Sequence, residues 1–83
     1  MIAAYDKLIY FNEASKYTIL RMRTDDPSVP EEARSQYTFR DRMLRFTAVG
    51  HGLPQTDSVK LEIEGDWKEG KYGLQLHAEH WHE

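Results

Sequence analysis

The sequence of 83 residues contains no cysteine, so neither a disulfide nor a thiolate metal site can staple the fold. No apolar run approaches the roughly 18 residues that a membrane-spanning helix needs. There is no basic-then-apolar signal segment and no lipidation box. The expected location is therefore cytoplasmic, with no membrane partner. Helical periodicity is missing as well, since no stretch of ten or more residues repeats its apolar positions at helical spacing. Positive charge is not in excess: 11 basic and 14 acidic residues leave a formal charge of -3. A chain whose sole task was to grip phosphate backbone is usually basic, so unaided non-specific DNA binding starts at a discount. What is present suits a soluble globular chain, with 40% hydrophobic and 30% charged residues. This length makes one small domain, which buries about 60 to 65% of its unfolded surface around a thin core.

Period-2 alternation is the pattern that is visible. Residues 2–11 carry large apolar groups on both faces, which suits a curving strand between two packing environments. Asn12-Glu13-Ala14-Ser15-Lys16 makes a turn, and the β-branched and aromatic segment 17–24 completes a hairpin. Asp25-Asp26-Pro27-Ser28-Val29-Pro30 breaks the pattern as a loop, and Pro30 to Ser35 can form one helical turn. A third strand is expected over 38–49, ending near Gly50-His51-Gly52-Leu53-Pro54. Over 58–67, Val59, Leu61, Ile63, Gly65 and Trp67 alternate with charged residues, as in a sheet solvated on one side. After the turn Glu69-Gly70-Lys71-Tyr72-Gly73, a fifth strand over 74–81 puts Leu74, Leu76 and Ala78 inward. On that parity Trp67 is core and Trp81 points outward.

Five curved strands with at most one short helix indicate an all-β chain. A small five-stranded OB-like barrel closes its edges better than a thin sandwich of this size. The helical hint falls between the second and third strands, whereas an OB-fold often carries it between the third and fourth. An SH3-like barrel is the main competitor.

The order of motifs resembles the N-terminal domain of RecD-like DNA helicases, the RecD/TraA group. Ile9-Tyr10-Phe11-Asn12-Glu13 followed by Tyr17-Thr18-Ile19-Leu20 is similar to that family's first hairpin, and Phe46-Thr47-Ala48-Val49-Gly50 to its next strand. Leu61-Glu62-Ile63-Glu64-Gly65-Asp66-Trp67 and Lys71-Tyr72-Gly73-Leu74-Gln75-Leu76 resemble its closing pair. The similarity departs over 25–42, which reads as a loop or insertion. The resemblance implies one OB-like domain over 1–83, a non-catalytic accessory piece at the front of a 5′-3′ DNA helicase of the exodeoxyribonuclease V alpha type. DNA repair and recombination would be its setting. ATP and magnesium would belong to the parent helicase, with no cofactor in this chain. The phosphate-cradling pattern G-x-x-x-x-G-K-[ST] is absent here.

The basic residues are uneven. Residues 1–42 hold seven basic and seven acidic residues, so the whole deficit of three lies after residue 42. Arg21 and Arg23 share one strand face, and Arg40, Arg42 and Arg45 follow on the next strand. If those strands pair, five arginines line one wall, with Tyr17, Tyr37 and Phe39 as stacking surfaces. Cations for phosphates and flat rings for bases are what a single-strand binder needs. The alternatives are a solvated sheet face, its arginines paired with Asp25, Asp26, Glu31, Glu32 and Asp41, or a protein contact anchored by Tyr and Arg. The expected partners are single-stranded DNA and the motor domains in cis. The alternative is a protein–protein interaction module that binds no DNA of its own, with Tyr72 and Trp81 at its interface. His80 and His82 lie on one strand face about 6.5 to 7 Å apart, close enough to share an ion, but His77 and Glu79 point the other way. No metal is expected. Catalysis has no support either: Ser15, Ser28, Ser35 and Ser58 lack a base at motif spacing, and Glu62 and Glu64 sit on a solvated face.

Overall fold

The computed structural model describes residues 1–35, 40–56, 59–71 and 73–83. Five strands form: β1 (Ile2–Phe11), β2 (Tyr17–Thr24), β3 (Leu44–His51), β4 (Lys60–Gly70) and β5 (Gly73–His82). They close into a barrel in the order β1-β2-β3-β5-β4. Every pairing is antiparallel except β3 with β5, which run parallel over Thr47–Gln75, Ala48–Leu76 and Val49–His77. The all-β, OB-like reading therefore holds. Three strands differ in extent from the alternation pattern. β3 begins at Leu44 rather than residue 38, after a turn at Arg40–Asp41, while residues 36–39 lie outside the described set. β4 runs on to Gly70 because its charged tail, Lys68 and Glu69, still pairs with β5. β5 gains one residue at each end.

The core is built from the inward residues of each strand: Ala3 from β1, Leu20 and Met22 from β2, Phe46 and Ala48 from β3, Leu61 and Ile63 from β4, and Leu76 from β5. Residues outside the sheet complete it. Val29 and Ala33 join the core from the β2–β3 connection, and Leu53 from the segment after β3. The helical hint is a single 3-10 turn, Glu31–Ala33, with Pro30 at its N-cap and two acids in its first turn. It packs against β5, and Ser35 N–H donates to the Arg45 carbonyl at 2.8 Å. Arg34 holds this connection together, donating to the carbonyls of Val29 (3.0 Å) and Pro27 (3.1 Å). The 25–35 stretch thus supplies core as well as length.

Closing so few strands into a barrel demands sharp bending, and β-bulges supply it. β1 shifts register between Tyr5 and Lys7 and again between Leu8 and Tyr10, leaving Asp6 and Ile9 as extra residues. β5 has its own bulge: Glu64 faces His80 but Gly65 faces Ala78, so Glu79 is skipped. One extra residue reverses the inside–outside parity of everything after it. This corrects the expectation for Trp81. It pairs with inward Ile63 and packs partly buried against the core, rather than pointing outward. Trp67 follows its expected parity and meets Phe46 edge-to-face at 5.5 Å between centroids.

Gly65 makes the bulge in β5 possible. A Cβ there would lie 2.0 Å from the His77 carbonyl oxygen and 2.9 Å from the Ala78 Cα, both backbone atoms that cannot swing aside. At Gly50 the nearest atoms would be side-chain carbons of Leu53 at 3.4 Å, an ordinary contact. We expect Gly65→Ala to destabilise the domain by about 2–3 kcal/mol and Gly50→Ala by less than about 1 kcal/mol in urea titrations. Equal losses at the two positions would mean the backbone at the bulge is looser than described.

Candidate nucleic-acid interface

Buried Thr18, Leu20, Met22 and Thr24 take the inward positions of β2, so Tyr17, Ile19, Arg21 and Arg23 share its other face, on which Ile19 is itself buried. Register then sets their neighbours on β3: Tyr17 opposite His51, Ile19 opposite Val49, Arg21 opposite Thr47 and Arg23 opposite Arg45. This face of β2–β3 therefore has an aromatic end and a cationic end, with the buried pair Ile19 and Val49 between them.

At the aromatic end the Tyr17 and His51 rings lie 5.3 Å apart at a tilt of 58°. The β1–β2 loop beside them is held in one shape. Asn12 Oδ1 accepts from the N–H groups of Ala14 (3.0 Å) and Ser15 (3.1 Å), a short side-chain turn. Asn12 N–H donates to the Tyr17 carbonyl, and Gly52 N–H to that of Lys16. A ring nitrogen of His51 lies 3.0 Å from the Ser15 carbonyl. Lys16 takes a left-handed backbone conformation (φ 63) that sets its ammonium 5.8 Å over the Phe11 ring. Tyr10 and Phe11, at the end of β1, are exposed beside this loop.

At the cationic end three arginines converge on Asp6. The bulge in β1 leaves Asp6 between the positions that face Met22 and Arg21. Arg21 Nε donates to Asp6 Oδ2, Arg45 Nη2 to Asp6 Oδ1 at 3.3 Å, and Arg23 Nη1 lies 3.8 Å from that same oxygen. Arg23 also donates to the Tyr5 carbonyl at 2.7 Å, and Arg45 Nη1 to Asp41 Oδ1 at 2.6 Å. The Arg45 side chain is 7% exposed and that of Asp6 12%, so the cluster sits under the surface and is screened less than a surface pair. Burial by itself would raise the Asp6 carboxyl, but the hydrogen bonds from Arg21 and then Arg45 outweigh it, and it rests below the ordinary 3.8. Asp41 is lowered too, by its hydrogen bond from Arg45 and then that from the Met43 N–H.

The five sequence-predicted arginines thus divide. Arg21, Arg23 and Arg45 meet at Asp6, whereas Arg40 and Arg42 are exposed in the turn on either side of Asp41. Neither Arg40 nor Arg42 has an ion pair among the described residues. Tyr17 is on the predicted wall; Tyr37, Phe39 and Tyr72 lie outside the described residues. Of the acids expected to pair with arginine, Asp41 does so. The larger partner, Asp6, was missed, as were His51 and Lys16. Hairpin register offers a signal for Asp6, the lone acid of β1, since it falls across from Arg21 and Arg23. Next to this cluster is a recess of about 300 Å³, with Arg21, Arg45 and Thr47 on the sheet side and Glu32, Arg34 and Ser35 on the other.

The opposite wall is acidic. Across β4–β5, Glu62 faces His82, Glu64 faces His80 and Asp66 faces His77. The weak metal candidates His80 and His82 are both exposed there, and among the described residues no group of three or more His, Cys, Asp or Glu could hold a metal ion. No helix among the described residues is long and apolar enough to cross a membrane.

Comparison with known proteins adds one match. A family model described as the OB-fold domain of the ATP-dependent DNA helicase YrrC matches residues 1–83. No curated protein and no solved structure matches the chain.

The Asp6 cluster has a consequence in acid. Its carboxyl is harder to protonate folded than unfolded, so on acidification the unfolded chain takes up the proton first. The stability it contributes is full above about pH 4 and drains as pH falls through the lowered folded value. Asp6→Asn should cost about 1–3 kcal/mol at pH 7, because it removes the charge of the carboxylate that Arg21 and Arg45 share while Arg45 keeps its bond to Asp41. It should also flatten the fall in stability below pH 4. Urea titrations of both chains across pH 2–7 measure this; parallel pH profiles would show that Asp6 is not the linked group.

Proposed function

Because the chain belongs to the OB-fold domain family of the YrrC-type ATP-dependent DNA helicases, we propose that it is a non-catalytic accessory domain that contacts single-stranded DNA beside the helicase motor. The observation that carries this reading is the face of β2–β3, aromatic at one end and cationic at the other. Flat rings at one end take bases, and arginines at the other take phosphates. Sequence-tolerant single-strand binding requires that pairing of groups. The same strands and the β1–β2 loop are the surfaces that OB-folds use for oligonucleotides. Loop preorganisation supports the reading, since bonds from His51 and Gly52 fix the Tyr17 end before any ligand arrives. We take the parent enzyme to be a RecD-like helicase that moves 5′ to 3′, its ATP and magnesium held by motor domains. Arg40 and Arg42 in their exposed turn, with Lys7 and Lys16, extend the cationic track to the edges of the face.

A second reading has its own observation. Ile2 (56% exposed), Ile9, Tyr10 (45%) and Phe11 leave apolar surface along β1, which suits docking onto protein. In that reading β1 rests on the motor domains and DNA contact is incidental.

The two readings separate in fluorescence anisotropy with a labelled oligo-dT of about 15 nucleotides, a length within the usual reach of a single OB-fold. We expect salt-sensitive binding by this chain, weakened about tenfold by Tyr17→Ala through loss of one stacked base. No binding at low salt and high micromolar protein would overturn DNA contact and leave the β1 docking reading.

A further inference from the structure

The recess beside the arginine cluster has features that stacking on Tyr17 does not use. Arg21 and Arg45 line it, and both are held by the single carboxylate of Asp6. Thr47 and Ser35 add hydroxyl groups, and the far wall adds Arg34, which donates to the Val29 and Pro27 carbonyls, and one carboxylate, Glu32. A carboxylate and a phosphate present the same kind of forked acceptor to a guanidinium. Alternation from Ala4, which faces Arg23, turns Asp6 to the arginine side, and the bulge after Tyr5 keeps Lys7 opposite Arg21 so that Asp6 stands between Arg21 and its neighbours; on β1 it is the one acid.

We propose that the recess is a phosphate site for the DNA backbone, and that Asp6 is a built-in competitor which occupies the arginines until a phosphate exchanges with it. This rests on the reading of the domain as a single-strand binder. The exchange is between two anions on the same donors, and no covalent step is involved. Asp41 plays a lesser part, since it holds Arg45 alone and is itself well exposed. On this basis Asp6 sets the affinity of the cationic end, while Tyr17 and His51 set that of the aromatic end.

The test compares the unchanged chain with Asp6→Asn, Asp41→Asn and Glu64→Gln in oligo-dT anisotropy over a salt series, with near-ultraviolet circular dichroism reporting the fold. Glu64 faces His80 on the opposite wall, so Glu64→Gln makes the same change of net charge away from the recess. Asp6→Asn should bind about fivefold to tenfold more tightly than Glu64→Gln at low salt. Its plot of log affinity against log salt should steepen by about 0.7, the increment for one more single-strand phosphate contact. Asp41→Asn should fall between them, and it supplies the answer if Asp6→Asn does not fold. If the unchanged chain binds and the two aspartate variants bind no tighter than Glu64→Gln, the competitor role is overturned while DNA contact stands. If the unchanged chain and all three variants fail to bind, the underlying reading falls and this one with it.

Discussion

Asp6 and the arginines around it are the constraint on which the rest of this domain turns. Three guanidiniums from two neighbouring strands repel one another on one face, the buried Arg45 most of all, and an anion between them offsets that repulsion. The anion comes from a third strand, where alternation from Ala4, opposite Arg23, turns Asp6 to the arginine side. The bulge that begins at Asp6 then returns Leu8 to face Leu20 and pack against the core. Asp41 completes the arrangement from the turn before β3, where its carboxylate also accepts from the Met43 N–H and so shapes the turn.

The two walls of the barrel then carry opposite chemistry. The β1–β2–β3 side holds the arginines, while the outer face of β4–β5 sets three acids against three histidines. A net charge of -3 describes neither wall. Any charged partner would meet two different surfaces, and the field between them would orient it before contact.

Strand existence and the inward faces of β2 and β4 were legible in the sequence, because alternation is a local property. Tyr17-Thr18-Ile19-Leu20 and Leu61-Glu62-Ile63-Glu64 state their faces outright. The bulges were not legible. Skipping Glu79 or Asp6 is a demand of barrel closure, set by partner strands far away in sequence, and nothing in the residues on either side announces it. Hence Trp81 read as outward; the meeting of Asp6 with Arg45 was hidden for another reason, since it depends on how β3 lies beside β2. The arginine and tyrosine types that a DNA face needs were visible, yet their division into a buried cluster and an exposed turn depends on where β3 begins. The core role of Val29 and Ala33 was hidden for a related reason: a loop rich in Pro and Asp gives no sign that it packs inward.

The lengths of the ladders carry a mechanical consequence. β1–β2, β2–β3 and β4–β5 pair along most of their length, but among the described residues β3–β5 and β1–β4 are each joined by three residue pairs. The barrel is thus a three-stranded sheet and a two-stranded ribbon clasped along two narrow seams. Local opening concentrates where few backbone bonds must break together, so thermal breathing runs along these seams and spares the ladders. The recess lies at one of them, reached by Thr47 of β3 and Leu74 of β5. Anything seated in it would bridge the β3–β5 seam and tighten one of the two joins that the ladders leave narrow.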